Sequence, residues 1–292
     1  MRLFNAPPLS QFAKPQPASE AQLAHGSSLE IETPRAVRIV QLQRLAQNGR
    51  WRAEAMRALS ESCLIWFTRG QGRITLNGVT RGYGAHNAVF IPAGVMHGFE
   101  MSQQTNGFII YFGIGSDVTL PQSVQHLRIR EAGAQAELSA TIDAVQREMA
   151  SDRPGAERAA RHHLGLLGVW LERQIELNPP ETSVQNAAKR LVARYTVLLE
   201  HEFRSGNGVT ELAAELGVTP THLTRVCRQS CGRGASEMLQ ERRLYEARRL
   251  LSDTKAPVKE IAQSLGFASA AYFTRAFHAK TGRTPSEFRH GK

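Results

Sequence analysis

The chain has 292 residues, with 36 lysines and arginines against 26 acidic residues and a formal net charge of +10. This length suggests about two domains, each large enough to bury a core. No apolar run approaches the ~20 residues needed to span a membrane, and the first residues lack the charged-then-apolar pattern of an export signal, so we expect a cytosolic protein with no membrane partner.

The basic surplus lies in the C-terminal part of the chain. Residues 182–292 contain 18 lysines and arginines against 10 acidic residues, whereas residues 1–181 contain 18 against 16. A polyphosphate partner requires such a surplus, but solvated basic faces are common, so charge alone is weak evidence.

The chain begins with a segment that has no hydrophobic periodicity. Residues 1–33 contain Pro7, Pro8, Pro15 and Pro17 among serine, glutamine and alanine. We predict a mobile arm without a core of its own.

Residues 34–116 are predicted to form a ligand-sensing β domain. Short β-branched or aromatic runs bounded by glycines predict strands at 37–42, 64–67, 73–76, 88–91 and 108–112. Asn77-Gly78 is a two-residue hairpin signal, because both positions tolerate positive φ. Strands this short and this evenly spaced predict a small β-sandwich or barrel.

The segment Phe90–Phe99 resembles the second half of the cupin pattern, in which proline and glycine turn the chain and a histidine enters a jelly-roll barrel. A metal-using cupin also needs an earlier His-x-His and a carboxylate. Leu64–Gly70, the corresponding earlier segment, contains no histidine, and His86 and His97 alone are too few. We therefore predict no metal, no cofactor and no catalytic residue, with a metal-dependent cupin enzyme joined to the C-terminal module as the alternative.

A small-molecule effector is expected to bind in the β domain. An apolar pocket with a few polar tips is the usual composition of such a site. The candidate lining residues are Trp66, Tyr83, His97 and Phe99, each of which could equally be a core residue.

Residues 134–177 are predicted to form two amphipathic helices. Leu138, Ile142 and Val145 have helical spacing in the first, and Leu164 and Leu171 in the second. These helices could pack on the barrel or pair with a second copy of the chain, and we favour dimerisation. Residues 178–184, with paired prolines, are predicted to be a linker to residues 185–292.

The C-terminal part contains one unit twice. Val209–Gly217 returns as Val258–Gly266, and each copy continues with a Thr-Arg pair. In each copy a short helix with an apolar stripe ends at glycine, and a second helix begins at a hydroxyl-bearing cap. The pattern predicts two helix-turn-helix units, at about 209–230 and about 258–281, and this is the geometry that places a second helix in a DNA major groove.

The region from Gln185 to Arg289 resembles the AraC/XylS transcription regulators. The resemblance is carried by Val258–Ala262, Tyr272–Arg275, Thr284-Pro285 and the joining segment Glu241–Leu244. It implies two helix-turn-helix subdomains joined by one long helix, so that the fold class is a multidomain chain: an N-terminal cupin-like β barrel with a helical dimerisation segment, and an all-α C-terminal domain.

The same resemblance implies which residues bind DNA. Thr221, His222, Thr224 and Arg225 match the first reading helix, and Ala270, Ala271, Thr274 and Arg275 match the second. Many relatives have polar side chains at 270 and 271, which leaves Thr274 and Arg275 as the expected contributors of the second helix. Basic residues near the reading helices are expected to hold phosphates, and these are Arg228, Arg233, Lys280 and Arg283.

These patterns predict a transcription regulator rather than an enzyme. The expected partners are double-stranded DNA, a small-molecule effector, a second copy of the chain and RNA polymerase, and the resemblance favours activation. A non-specific architectural DNA-binding protein is a further alternative. Cys227 and Cys231 lie one helical turn apart, but two ligands make an incomplete zinc site and Cys227 takes the core position of Phe277, so we predict packing roles.

Overall fold

The computed structural model describes residues 37–47, 49–178 and 187–291, which belong to one compact unit. The predicted arm and nearly all of the predicted linker lie outside these residues. The predicted domain limits remain predictions.

The described residues form an N-terminal β region followed by helices. The strands are β1 Arg38–Gln41, β2 Cys63–Arg69, β3 Gly72–Leu76, β4 Val79–Tyr83, β5 Asn87–Ile91, β6 His97–Phe99, β7 Asn106–Tyr111 and β8 Gln125–Arg128. The helices are α1 Leu42–Gln47, α2 Trp51–Glu54, α3 Ala132–Met149, α4 Ala156–Leu177, α5 Ala187–Glu202, α6 Val209–Glu215, α7 Pro220–Cys231, α8 Ala235–Asp253, α9 Val258–Ser264, α10 Ala270–Thr281 and α11 Pro285–Arg289.

The strands form two antiparallel sheets. One has the order β1-β7-β2-β5-β8 and the other β4-β3-β6. Asn77 and Gly78 join β3 to β4 with φ of 49° and 71°, which confirms the predicted hairpin. The five predicted strand runs are also confirmed, with shifts of one or two residues at their ends.

Alternation along β2 divides the N-terminal region into two cores. Ile65 and Phe67 face a cluster between the sheets, whereas Leu64 and Trp66 face a second cluster. In this second cluster, α3 and α4 cover the outer face of the five-stranded sheet, and Trp170 of α4 is buried there. Both predicted helices are therefore confirmed as helices, although α3 begins earlier than predicted.

The C-terminal helices have a third core of their own, which Phe273 and Phe277 share with Leu212 and Leu223. Two methionines from the β region, Met56 and Met96, also belong to this core. An N-terminal β region and a C-terminal helical region are thus confirmed, while the cupin-like and dimeric details remain predictions.

The β region contacts the C-terminal helices at two places. The ring of Trp51 in α2 packs edge-on against Tyr245 of α8 and Phe288 of α11, with centroid distances of 5.5 and 6.2 Å. The β3–β4 turn reaches α5, because a Cβ added to Gly78 would overlap the side chain of Val192. The β region therefore contacts α8 itself, α5, which precedes α8 in the chain, and α11, which follows it.

No helix within the described ranges is both long and apolar enough to cross a membrane.

Candidate nucleic-acid interface

The first helix pair consists of α6 and α7. α6 ends before Gly217, which has a φ of 72° that glycine adopts at low cost. Thr219 then caps α7, because its hydroxyl accepts a hydrogen bond of 3.2 Å from the backbone N–H of His222, and Pro220 takes the first helical position. Leu223 and Cys227 are buried on the inner face of α7.

The second pair, α9 and α10, repeats this construction. Gly266 has a φ of 71°, and the hydroxyl of Ser269 accepts a hydrogen bond of 3.1 Å from the backbone N–H of Tyr272. Phe273 and Phe277 are buried at the positions that Leu223 and Cys227 occupy in α7. Local capping and an apolar stripe therefore place both second helices in the same way.

The outer faces of α7 and α10 are solvent-exposed. Thr221, Arg225 and Arg228 are exposed on α7, and Ala271 and Arg275 are exposed on α10. The β region thus leaves both predicted reading faces uncovered. His222, Thr224, Ala270 and Thr274 are half-buried beside these faces, and Lys280 and Arg283 are exposed at the end of α10.

Most of the predicted basic residues have no acidic partner. Within the described ranges, no carboxylate forms an ion pair with Arg225, Arg228, Arg275 or Arg283. The guanidinium of Arg225 instead lies 3.1 Å from Nδ1 of His222. These exposed cations are available to an anionic partner.

Arg233 differs from the other predicted phosphate ligands. Its guanidinium lies 3.2 Å from Glu241 and is mostly buried. The structure thus gives Arg233 an internal carboxylate partner, and the proposed phosphate ligands are Arg228, Lys280 and Arg283 without it.

Known proteins resemble the C-terminal part most clearly. A family model described as a helix-turn-helix domain matches residues 212–291. The arabinose operon regulatory protein of Escherichia coli K12 is 32% identical over 133 residues, 44% of each chain. The transcriptional activator RhaR of Escherichia coli O1:K1 is 26% identical over 167 residues, which cover 56% of this chain and 57% of RhaR.

Residues 212–291 form an AraC-type helix-turn-helix domain. The matches span 44% and 57% of the two relatives, so they describe only part of those proteins. Among solved structures, apo ToxT from Vibrio cholerae is similar over 87% of this chain and 96% of ToxT, at 14% identity and a TM-score of 0.40.

A buried ion network fixes the long helix of the AraC-type domain. Arg242 of α8 donates two hydrogen bonds of 2.7 Å to Glu200 of α5, and a third of 3.2 Å to Glu246. Glu246 also accepts from Arg249 at 2.7 Å and from Arg204 at 2.9 Å. The arginines of the joining segment are therefore internal, which the sequence pattern did not indicate.

The charge state of Glu246 follows from this network. Burial opposes its ionisation, but the hydrogen bond from Arg249 and the charges of Arg242, Arg249 and Arg204 outweigh burial and lower its pKa to about 2. Glu246 is accordingly ionised at neutral pH, between three guanidinium groups.

The four predicted effector ligands do not line one cavity. Trp66 faces the cluster under α3 and α4, while Tyr83 and Phe99 belong to the cluster between the sheets. Phe67 stacks on Tyr83 with ring centroids 3.8 Å apart, so packed side chains fill the space. Adjacent positions of β2 point to opposite faces, which separates Trp66 from Tyr83 and Phe99, and the assignment of the four residues to effector binding stays a prediction.

His97 is buried in the β region, where its Nδ1 lies 2.8 Å from the carbonyl oxygen of Val95. Burial and the charge of Arg57 lower its pKa to about 3. The ring is therefore neutral at pH 7. Within the described ranges, no group of three or more histidine, cysteine or acidic side chains is arranged to hold a metal ion.

A cavity of about 1170 Å³ lies at a different place, between residues 112–119 and helix α4. Phe112, Ala156 and Ala160 contribute apolar surface to it, and Arg158 and Arg161 contribute charge. No sequence motif indicated this cavity, because its walls come from segments that are distant in sequence.

Cys227 is buried, as we predicted because it occupies in the first unit the position of Phe277 in the second. Burial raises the pKa of its thiol to about 12. The Cys231 thiol donates to the backbone carbonyl of Cys227 at 3.3 Å. Both side chains therefore have packing roles within α7.

Proposed function

We propose that the chain is a sequence-specific DNA-binding transcription regulator in which α7 and α10 each read a segment of the major groove. The observation that carries this proposal is the pair Arg225 and Arg275. They occupy matching positions on two identically capped helices, and both are exposed without a carboxylate partner in the described ranges. A guanidinium fork suits the O6 and N7 edge of guanine, or a phosphate.

The flanking cations have a different role in this proposal. Arg228, Lys280 and Arg283 are exposed beside the reading faces and would contact phosphates. Such contacts set the position of the protein on the duplex without reading sequence. The surplus of basic residues in 182–292 supplies the required charge.

The test is selection of DNA by the full chain from a random pool, followed by binding measurements. Arg225→Ala should lower affinity for the selected DNA by about 1 to 3 kcal/mol and relax preference at one base pair. Lys280→Ala should weaken binding to selected and random DNA equally. Equal weakening by Arg225→Ala would make Arg225 a phosphate contact, and a pool without enriched sequences would favour the architectural alternative.

We propose that a second copy of the chain pairs through α4. Leu166, Val169 and Leu177 are 61%, 41% and 68% exposed on this helix, and Met149 and Ile114 are exposed nearby. Most large exposed hydrophobic side chains of the described residues thus belong to this region. Exposed apolar groups of this kind typically mark a protein interface.

We propose that the effector binds in the cavity beside α4. The cavity offers apolar walls and a few charged groups, which suits a small organic molecule. A Cβ added to Gly165, which lines it, meets no atom within 4 Å, so a side chain can begin there and Gly165→Trp should occupy part of the cavity.

Gly133→Trp is the matched control, since Gly133 is equally unobstructed and lies outside the cavity lining. A metabolite that changes the DNA affinity of the wild-type chain should act on Gly133→Trp and not on Gly165→Trp. A metabolite that acts equally on both variants would place the effector elsewhere.

We propose that the β region transmits the effector signal. It contacts α5 through Gly78, and it contacts α8 and α11 through Trp51. These helices adjoin different reading units, so a shift of the β region could change how the two units are arranged. A ligand changes DNA binding only by favouring one such arrangement over another.

A further inference from the structure

The two reading helices match in position but differ in the chemistry of their outer faces. Thr219 and Ser269 are the caps, so position 221 of α7 corresponds to 271 of α10, and 224 corresponds to 274. The matching residues are Thr221 and Ala271, and then a threonine in both helices. The difference therefore lies in side-chain identity and in hydrogen bonding.

At the start of α10, the side-chain hydroxyl groups form hydrogen bonds within the protein. The hydroxyl of Thr274 donates a hydrogen bond of 2.9 Å to the carbonyl oxygen of Ala270, and the hydroxyl of Ser269 is engaged as the cap. Because its hydroxyl donates to the backbone, the methyl group is the part of the Thr274 side chain without an internal hydrogen bond, and Thr274 is half-buried beside the outer face. That methyl lies one helical turn from the exposed methyl of Ala271.

On α7 the corresponding groups remain polar. The hydroxyls of Thr221 and Thr224 form no hydrogen bond within the part of the chain that the structure describes. Arg225 is oriented by His222 at 3.1 Å. This face can donate to and accept from base edges, whereas the start of α10 presents methyl groups beside one guanidinium, that of Arg275.

We propose, building on the proposed DNA-binding function, that α10 recognises thymine through its 5-methyl group, by contact with the methyl groups of Ala271 and Thr274. Thymine is the base that presents a methyl group in the major groove, and alanine and threonine methyls are suitable contacts for it. Arg275 binds an adjacent guanine through the O6 and N7 edge. The first unit reads its segment by hydrogen bonds, so the two halves of the site are read differently.

The same face disfavours other bases. A donor or acceptor of adenine, guanine or cytosine placed against two methyl groups would lose water without gaining a partner. Alanine at position 271 therefore contributes to specificity, although it forms no hydrogen bond through its side chain.

The test uses DNA selected from a random pool by the full chain, in which each thymine is replaced in turn by deoxyuridine, so that one methyl group is lost. The segment read by α10 is identified as the one where Arg275→Ala, and not Arg225→Ala, relaxes base preference. We expect at least one thymine in that segment to lose about fourfold in affinity on replacement, the value for burial of one methyl group.

Two variants separate the methyl group of Thr274 from its hydroxyl. Thr274→Ser keeps the hydroxyl and removes the methyl, so it should reduce the difference between thymine and deoxyuridine at that position, with Ala271 supplying the remaining contact. Thr274→Val keeps the methyl and removes the hydroxyl, so it should retain the fourfold difference. Circular dichroism and melting temperature report whether both variants fold.

Three results would overturn the inference: no enriched thymine in the α10 segment, equal binding of thymine and deoxyuridine by the wild-type chain, or loss of the preference in Thr274→Val with retention in Thr274→Ser. A pool in which no sequence is enriched would instead refute the proposed DNA-reading function itself. Failure of the inference and failure of the function are thus distinguishable.

Discussion

Replacing Glu246 with glutamine removes the charge at the centre of the buried network in α8. The carboxylate of Glu246 is 4% exposed and accepts hydrogen bonds from Arg204, Arg242 and Arg249. Glutamine has nearly the same shape, so the change acts on charge and hydrogen bonding and creates no large cavity. After the replacement, Arg242 still has Glu200, but the other two guanidinium groups lose their shared anion.

The magnitude follows from the pKa of Glu246. Folding lowers it from 4.5 to about 2, and at about 1.4 kcal/mol per pKa unit the ionised form contributes about 3 kcal/mol at neutral pH. Removing one partner of a buried ion pair typically costs about 3 to 5 kcal/mol. We therefore expect Glu246→Gln to lower the free energy of unfolding by about 3 kcal/mol at pH 7.

The pH dependence gives a second check. Because the pKa is lower in the folded state, the contribution of Glu246 is complete above pH 4.5 and is lost as the pH falls from 4.5 towards 2. Urea denaturation at several pH values should therefore show the difference between wild type and Glu246→Gln shrinking below pH 4.5. A difference that stays constant with pH would refute the assigned charge state.

Glu241 of the same helix is the matched control. Burial raises its pKa, so folding opposes its charge at pH 7. Glu241→Gln should then cost little or no stability, although Glu241 is paired with Arg233. Equal losses in both variants would mean that α8 depends on any carboxylate rather than on the network around Glu246.

Two further predictions concern the proposed α4 interface and the packing of the β3–β4 turn on α5. Leu166→Glu should weaken self-association at least tenfold in sedimentation velocity, whereas Val197→Glu, at a residue 56% exposed on α5, should leave it unchanged; equal effects would exclude α4 as the interface. Gly78→Ala should lower the free energy of unfolding more than Gly94→Ala, which adds only the cost of positive φ, about 1 to 2 kcal/mol, and Gly84→Ala should lower it least. Equal losses for the first two variants in urea denaturation would show that the β3–β4 turn does not pack on α5.

The helix-turn-helix units could be predicted because their signals are local. Gly217, Thr219 and Pro220 lie within four residues of one another, and each acts on the backbone at its own position. The second copy supports the same prediction, since Gly266 and Ser269 repeat the helix-ending and capping signals. The strands β6 and β8 lacked such signals, because His-Gly-Phe and Gln-His-Leu-Arg are not runs of β-branched or aromatic residues.

The predicted effector-binding residues could not be assigned reliably from the sequence, because their surroundings depend on segments that are distant in the chain. Which face of β2 Trp66 occupies depends on the pairing of β2 with β5 and β7, and on helices α3 and α4 that follow much later in the chain. The Arg242–Glu200 pair was missed for the same reason, since its members are 42 residues apart. The charge pattern of the sequence gave no indication that arginines of the joining segment have internal partners.

The contact between the β region and the AraC-type domain is the part of the structure on which the proposed regulation depends. Trp51 packs on Tyr245 and Phe288, and Arg57 lies between Phe99 of the β region and Tyr245. Met56 and Met96 of the β region also belong to the C-terminal core, so apolar packing adds to these aromatic contacts. An effector could shift the arrangement of this contact only by its differential affinity for two states, typically a few kcal/mol.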